Sequence, residues 1–282
     1  MTRHHAREST AVLVTGCSTG VGRVTALALL RAGFPTWASA RRIEALADLK
    51  EAGCHVITLD VTDENSRVDA VRAVEETHGA VGALVNNAGY EQSGPIEEVS
   101  LDMLRKQFET NVFGLVRMSQ LVLPGMRAQG YGTIVNMGSG AGLMAFPGSG
   151  AYAMTKWALE ALSDALRMEV SNFGVRVVLL EPGGILSTNY GPTAEASWPP
   201  TDGPYGAFRR NVLRARARWY GPGARGMSTP DDVARVVVKA ITSERPRTRY
   251  KIGLVPRLMP LLYRTLPNRS WDAIWARQLP VS

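Results

Sequence analysis

The stretch that decides the fold is "AVLVTGCSTGVG", residues 11–22. Ala11–Val14 is an uninterrupted apolar run, the composition of a strand buried on both faces of a parallel sheet. It leads directly into Thr15, Gly16, Ser18, Thr19, Gly20, Val21 and Gly22. Helical periodicity follows over roughly 21–32 and stops at Gly33. Glycines at such a turn let the backbone approach a ligand closely. The helix start behind them presents unbonded N–H groups and the positive end of a dipole. A glycine-rich loop alone is a weak signal; between a first strand and a first helix it reads as a pyrophosphate cradle.

The same rhythm continues outward. Strands are expected at 35–40, 55–61, 82–89, 132–139 and 175–183, with helices at 43–52, 64–78, 101–129 and 150–172. Pro124 is expected to bend or end the long third stretch. Regular alternation of this kind predicts a single α/β domain, a Rossmann-type doubly wound parallel sheet with helices on both faces. After residue 183 the rhythm breaks. Residues 187–228 are rich in Gly, Pro, Trp and Arg, and are expected to cover the substrate. A helix returns at 229–243, with Thr229 as N-cap and Pro230 in its first turn, and 249–253 reads as a last strand. Residues 255–282 form a basic, apolar extension.

Composition narrows the function classes. The chain has 282 residues and only two cysteines, Cys17 and Cys54, so no disulfide framework is expected and a reducing cytoplasm is the natural setting. The four histidines, His4, His5, His55 and His78, show no metal-ligand spacing, and no metal is expected. The net charge of +7 raises nucleic acid as a partner, but the arginines are dispersed and no basic tract is interleaved with aromatics, so none is expected. No signal peptide or membrane-spanning run is visible.

Two further patterns carry chemistry. In an NAD-binding unit an acid about 20 residues beyond the glycines accepts from the ribose hydroxyls. Here the second strand ends in Ala40 and is followed by Arg41 and Arg42. A guanidinium grips a 2′-phosphate that an acid would repel, so these residues point to NADP(H). The second pattern is "SGAYAMTKWALEALSDALRMEV", 149–170, where Tyr152 and Lys156 stand four residues apart on one helix face. An ammonium beside a phenol favours its phenolate.

Taken together, "TGCSTGVG" (15–22), "NNAG" (86–89), Asn111, Ser139 thirteen residues before the tyrosine, "YAMTK" (152–156) and "PGGILST" (182–188) resemble the short-chain dehydrogenase/reductases. The stretch "ASARRIEALADL" and the basic tail are most similar to the NADP-linked retinol and hydroxysteroid branch. The resemblance implies Tyr152 as acid/base, Lys156 as its partner, Ser139 as donor to the substrate oxygen and Asn111 as a water-relay residue. It implies Asp60 and Val61 beside the adenine, and Asn87, Ala88 and Gly89 along the cofactor. Pro182, Gly183, Ile185 and Thr188 would lie at the nicotinamide. A homodimer or homotetramer paired through 101–129 and 150–172 is implied as well.

The expected reaction moves a hydride between NADP(H) and an alcohol, ketone or aldehyde. Tyr190, Trp198, Tyr205, Phe208, Trp219 and Tyr220 in the cover, with Leu143, Met144, Ala145 and Phe146, suit a small apolar substrate. The alternative, a non-catalytic NADP(H)-binding regulator, has no need of Asn111, Ser139, Tyr152 and Lys156 together. "RRNVLRARAR" (209–218) reads as a solvated helix face. The tail admits two readings: an interfacial anchor on an anionic membrane, or an apolar face packed on the body. The second is preferred, because an exposed patch this apolar is a liability.

Overall fold

The structure, a computed structural model, describes residues 9–186, 188, 190–199, 203–220 and 226–280. The N-terminal histidines and parts of the 187–228 cover lie outside these, as does the side chain of Tyr190. Seven parallel strands form one sheet in the order β3-β2-β1-β4-β5-β6-β7. They are β1 (Val12–Val14), β2 (Thr36–Ala40), β3 (His55–Thr58), β4 (Ala83–Asn86), β5 (Gly132–Met137), β6 (Val175–Pro182) and β7 (Arg249–Ile252). The strand order reverses between β1 and β4, the topological switch point where open α/β sheets bind ligands.

Alternation along the strands builds two cores. Val12 and Val14 of β1 and Val85 of β4 face one layer, packed by α1 (Gly20–Arg31) and α9 (Pro230–Thr242). Leu13 and Leu84 face the other, packed by α3 (Glu64–His78) and α5 (Gly114–Gln129). This is the two-residue period of a strand covered on both sides. Helix ends follow local chemistry. Asp63 caps α3 by accepting from the Ser66 N–H at 2.7 Å. Thr229 and Asp232 form a reciprocal capping box on α9.

The expected helix over 101–129 is interrupted, but not at Pro124. α4 (Leu101–Phe108) gives way to a π turn at Glu109–Phe113, and α5 then runs through Pro124 to Gln129. Such a π turn is often found at functional sites; this one carries Asn111. α5 starts at a glycine because the Val61 carbonyl would stand 2.5 Å from any Cβ at Gly114.

Beyond β6 the chain changes character. α7 (Tyr190–Ala196) comes first, and α8 (Gly206–Tyr220), α10 (Val255–Thr265) and α11 (Asn268–Gln278) then surround a third, aromatic core. Trp271 and Trp275 meet edge to face, and Trp275 meets Phe146 and Trp219 the same way, with centroids 5.2–5.9 Å apart. The tail tryptophans therefore pack on the body as expected. The tail leucines do not: Leu258, Leu261 and Leu262 are exposed.

Candidate active site

The glycine loop and the end of β4 are tied together across the switch point. Thr15 Oγ1 accepts from the Asn87 and Ala88 N–H groups at 3.0 and 2.9 Å. Asn87 Nδ2 donates to the carbonyls of Thr15 and Gly16 at 2.8 and 3.1 Å. The loop's glycines are required by space. Gly16 has φ +73°, and a Cβ there would stand 2.9 Å from Ala88 Cα; at Gly22 it would stand 2.5 Å from Asn87 Nδ2. The N-cap of α1, Thr19, makes no side-chain cap, and no acid lies in the first turn. The N–H groups there are left to face whatever occupies the cradle.

Beside the cradle, Ala40 is buried at the end of β2 and Arg41 and Arg42 are exposed. Burial pushes the Tyr90 phenol up, while the nearby positive charge of Arg41 pulls it down. Arg41 follows directly on the carboxyl end of β2, which pairs in parallel with β1 and so lies at the sheet edge that carries the cradle. Arg23, which follows the loop, pairs with Asp48 instead. The carboxylate of Asp60 is held by the Thr62 N–H and hydroxyl at 2.9 and 2.8 Å, and Val61 is buried.

α6 (Gly150–Val170) brings the tyrosine and lysine in. Both side chains are buried. Lys156 Nζ lies 5.5 Å from the centroid of the Tyr152 ring and donates to the Met137 carbonyl at 2.6 Å. That carbonyl is at the end of β5, two residues before the half-buried Ser139. Burial depresses the lysine to about 8 from an ordinary value of 10.5. Ser139 opens the following turn, its hydroxyl accepting from the Ala141 N–H at 3.1 Å.

Asn111 is held rigidly. Its Oδ1 accepts from the Tyr90 N–H at 3.1 Å, and its Nδ2 donates to the Tyr90 carbonyl at 2.8 Å and to Thr155 Oγ1 at 3.2 Å. Thr155 in turn donates to the Tyr152 carbonyl at 2.8 Å. The π turn is thereby bound to the first turns of α6. Beneath it, buried Asn86 donates to Asn136 at 3.0 Å and Asn136 to Ser163 at 3.0 Å, joining β4, β5 and α6.

Pro182 and Gly183 close the far side. Gly183 donates to the Ile252 carbonyl at 2.9 Å, Ile185 bridges to Ser228, and Thr188 lies against Gly20. All the motifs therefore converge at the carboxyl ends of the strands. A profile of the short chain dehydrogenase family matches residues 10–197. The chain belongs to that family. It is 34% identical to human retinol dehydrogenase 5 over 287 residues, covering 95% of this chain and 88% of the relative. It is 32% identical to the NADPH-dependent 3-dehydrocapnine reductase of Ornithobacterium rhinotracheale, covering 95% and 96%. Among solved structures, a short-chain dehydrogenase from Streptomyces avermitilis superposes with TM-score 0.79 at 33% identity, covering 96% of this chain and 97% of that one.

The sequence reading missed a buried cluster on the cover. Arg216 of α8 pairs with Glu91, both side chains only 11% exposed. Ser149 and Ser93 donate to the same carboxylate oxygen at 2.8 and 3.1 Å. The stretch 209–218 is thus more than a solvated face: Val212, Ala215 and Arg216 point inward. Spacing offered a signal, since 208, 212, 215 and 216 share one helix face, but nothing local separated Arg216 from its exposed neighbours.

Proposed function

We propose that this short-chain dehydrogenase transfers a hydride between NADP(H) and an apolar alcohol, ketone or aldehyde, with Tyr152 as the acid/base. The observation that carries the reading is the buried Lys156 ammonium set between the Tyr152 ring and the end of β5. A buried cation stabilises a phenolate far better than a solvated one does. The residues fit the cofactor. The uncapped start of α1 and the Cβ-free cradle at Gly16 and Gly22 would hold the pyrophosphate. Arg41 and Arg42 would hold a 2′-phosphate, and nothing acidic stands at Ala40 to oppose it. NADPH in the name of the Ornithobacterium relative supports the same choice.

When bound, the nicotinamide supplies or accepts the hydride. The Tyr152 hydroxyl gives its proton to the substrate oxygen on reduction, or takes it on oxidation. Ser139 donates a hydrogen bond to that oxygen, stabilising the charge that develops there. Lys156 would bias the phenol and hold the nicotinamide ribose. Asn111 keeps one lone pair on Oδ1 after its three bonds, enough to hold a relay water. The 187–228 region, anchored through Glu91–Arg216 and the aromatic core, would form the apolar wall. Exposed Phe113, Met154 and Trp157 on the outer faces of the π turn and α6 support pairing of subunits there, and light scattering giving a monomer mass would refute it. The reaction is tested by following NADPH consumption against a panel of apolar ketones and aldehydes, and NADP+ reduction with the alcohols. Turnover confined to NADH, or absent from the whole panel, would overturn the reading.

A further inference from the structure

α10 follows directly on the active-site rim. Pro256, in its first turn, packs against Gly183, whose Cβ position would lie 2.8 Å from the Pro256 ring, and against Gly140. The helix has three margins. Pro256, Pro260, Met259 and Tyr263 face the body. Leu254, Leu258, Leu261 and Leu262, at steps of three and four, share the outer face and are 47–63% exposed. Arg257 and Arg264, seven residues apart, run along one edge of that leucine stripe. α10 contains no acidic residue.

The leucine stripe is continuous with a basic groove. Arg257 also lines a groove of about 590 Å³ against the edge strand β7 and α9, together with Lys239, Arg247 and Lys251. These four side chains are exposed, and no carboxylate lines the groove. A second copy of the chain docked here by a two-fold axis would set this basic surface near its own image, which like-charge repulsion opposes. A bilayer bearing anionic headgroups meets both features at once: acyl chains for the leucines and phosphates for the cations.

We propose that α10 and the adjoining groove dock the protein on an anionic membrane surface, with the leucine stripe in the headgroup–acyl boundary. No helix among the described residues is long and apolar enough to span, so the contact is peripheral. It sets the Gly183 and Ser139 rim beside the lipid. The docking stands independently of the hydride chemistry, since it is read as binding and not as turnover.

The test is co-sedimentation of the intact chain with phosphatidylglycerol/phosphatidylcholine vesicles, with phosphatidylcholine vesicles as the control. Two variants accompany it: Leu258→Gln/Leu261→Gln/Leu262→Gln, and Lys239→Gln/Lys251→Gln/Arg264→Gln. The intact chain is expected to sediment with the anionic vesicles and to be released by salt, and each variant to partition at least about ten-fold more weakly. Thermal unfolding checks that the variants fold; if the leucine variant does not, the charge variant and the salt dependence still decide. Failure of the intact chain to sediment, equal sedimentation of the variants, or a vesicle-free oligomer lost in the leucine variant would overturn the proposal.

Discussion

The sheet with its flanking helices and the cover built around α8, α10 and α11 hold together by different physics. In the first region strands β1–β6 present alternate apolar residues to two helical layers, and bonded polar sets such as Asn86–Asn136–Ser163 cross the core. The proposed proton-transfer site then lies at the ends of strands that packing has already fixed. The second region has no repeating pattern. It adheres through edge-to-face tryptophans and the buried ion pair Glu91–Arg216, formed between positions 125 residues apart. A scaffold built on periodicity can carry a fixed site, whereas a cover built on a few specific contacts can be re-shaped for a different substrate.

That contrast can be broken most severely at the ion pair. Arg216→Met leaves the Glu91 carboxylate buried without its cation, a loss of about 3–5 kcal/mol. Hydrogen exchange should accelerate across 190–220 while β1–β6 remain protected, and Glu91→Leu/Arg216→Met should recover most of the loss. Uniform destabilisation of both regions would show that the cover is not a separate unit of stability.

Lys156 sharpens the comparison from the scaffold side, because the site carries a stability penalty that its packing sustains. Unfolded, the ammonium titrates near 10.5; folded, at about 8. Between those values the unfolded chain binds more protons, so stability contributed at this site rises with pH. Below about 8 both states are protonated, and the full burial penalty, roughly 3 kcal/mol, is present. In the cofactor-free protein, Lys156→Met should therefore unfold no lower than the parent at pH 7. Its advantage should shrink as pH rises from about 8 toward 10.5, while both cofactor affinity and turnover fall. A variant that melts well below the parent at pH 7 would contradict this.

The smallest effect is expected at the cofactor's outer end. NADP(H) should bind at least about ten-fold tighter than NAD(H), about 1.4 kcal/mol. Ala40→Asp/Arg41→Ser should invert the preference without altering the cover. Equal affinities in the parent by calorimetry would remove Arg41 from the account.

The two regions also differ in what the sequence discloses. Glu64–His78 was legible to its last residue, because an Asp cap opens it and Gly79 at positive φ closes it. The glycine loop and the strands were legible for the same reason: local steric and capping rules decide them. The π turn at 109–113 was not, since its extra residue is accommodated by the bonds of Asn111 to Tyr90 and Thr155, contacts remote in sequence. Arg216 was hidden among five arginines within 209–218, and only the distant Glu91 distinguishes it. The tail was half legible. Its alternation of apolar residues and arginines was plain, but which of them turn inward depends on Phe146 and Trp219, which lie far away in the chain.

In the proposed reaction Tyr152 exchanges the proton while the rest of the site binds and orients. This assignment is tested most directly by Tyr152→Phe, which removes one hydroxyl and leaves the ring beside Lys156. Turnover of the best substrate should fall at least about a hundred-fold, with NADPH affinity by calorimetry unchanged within about two-fold. A variant that kept more than about a tenth of the parent's turnover, with cofactor binding intact, would contradict the assignment.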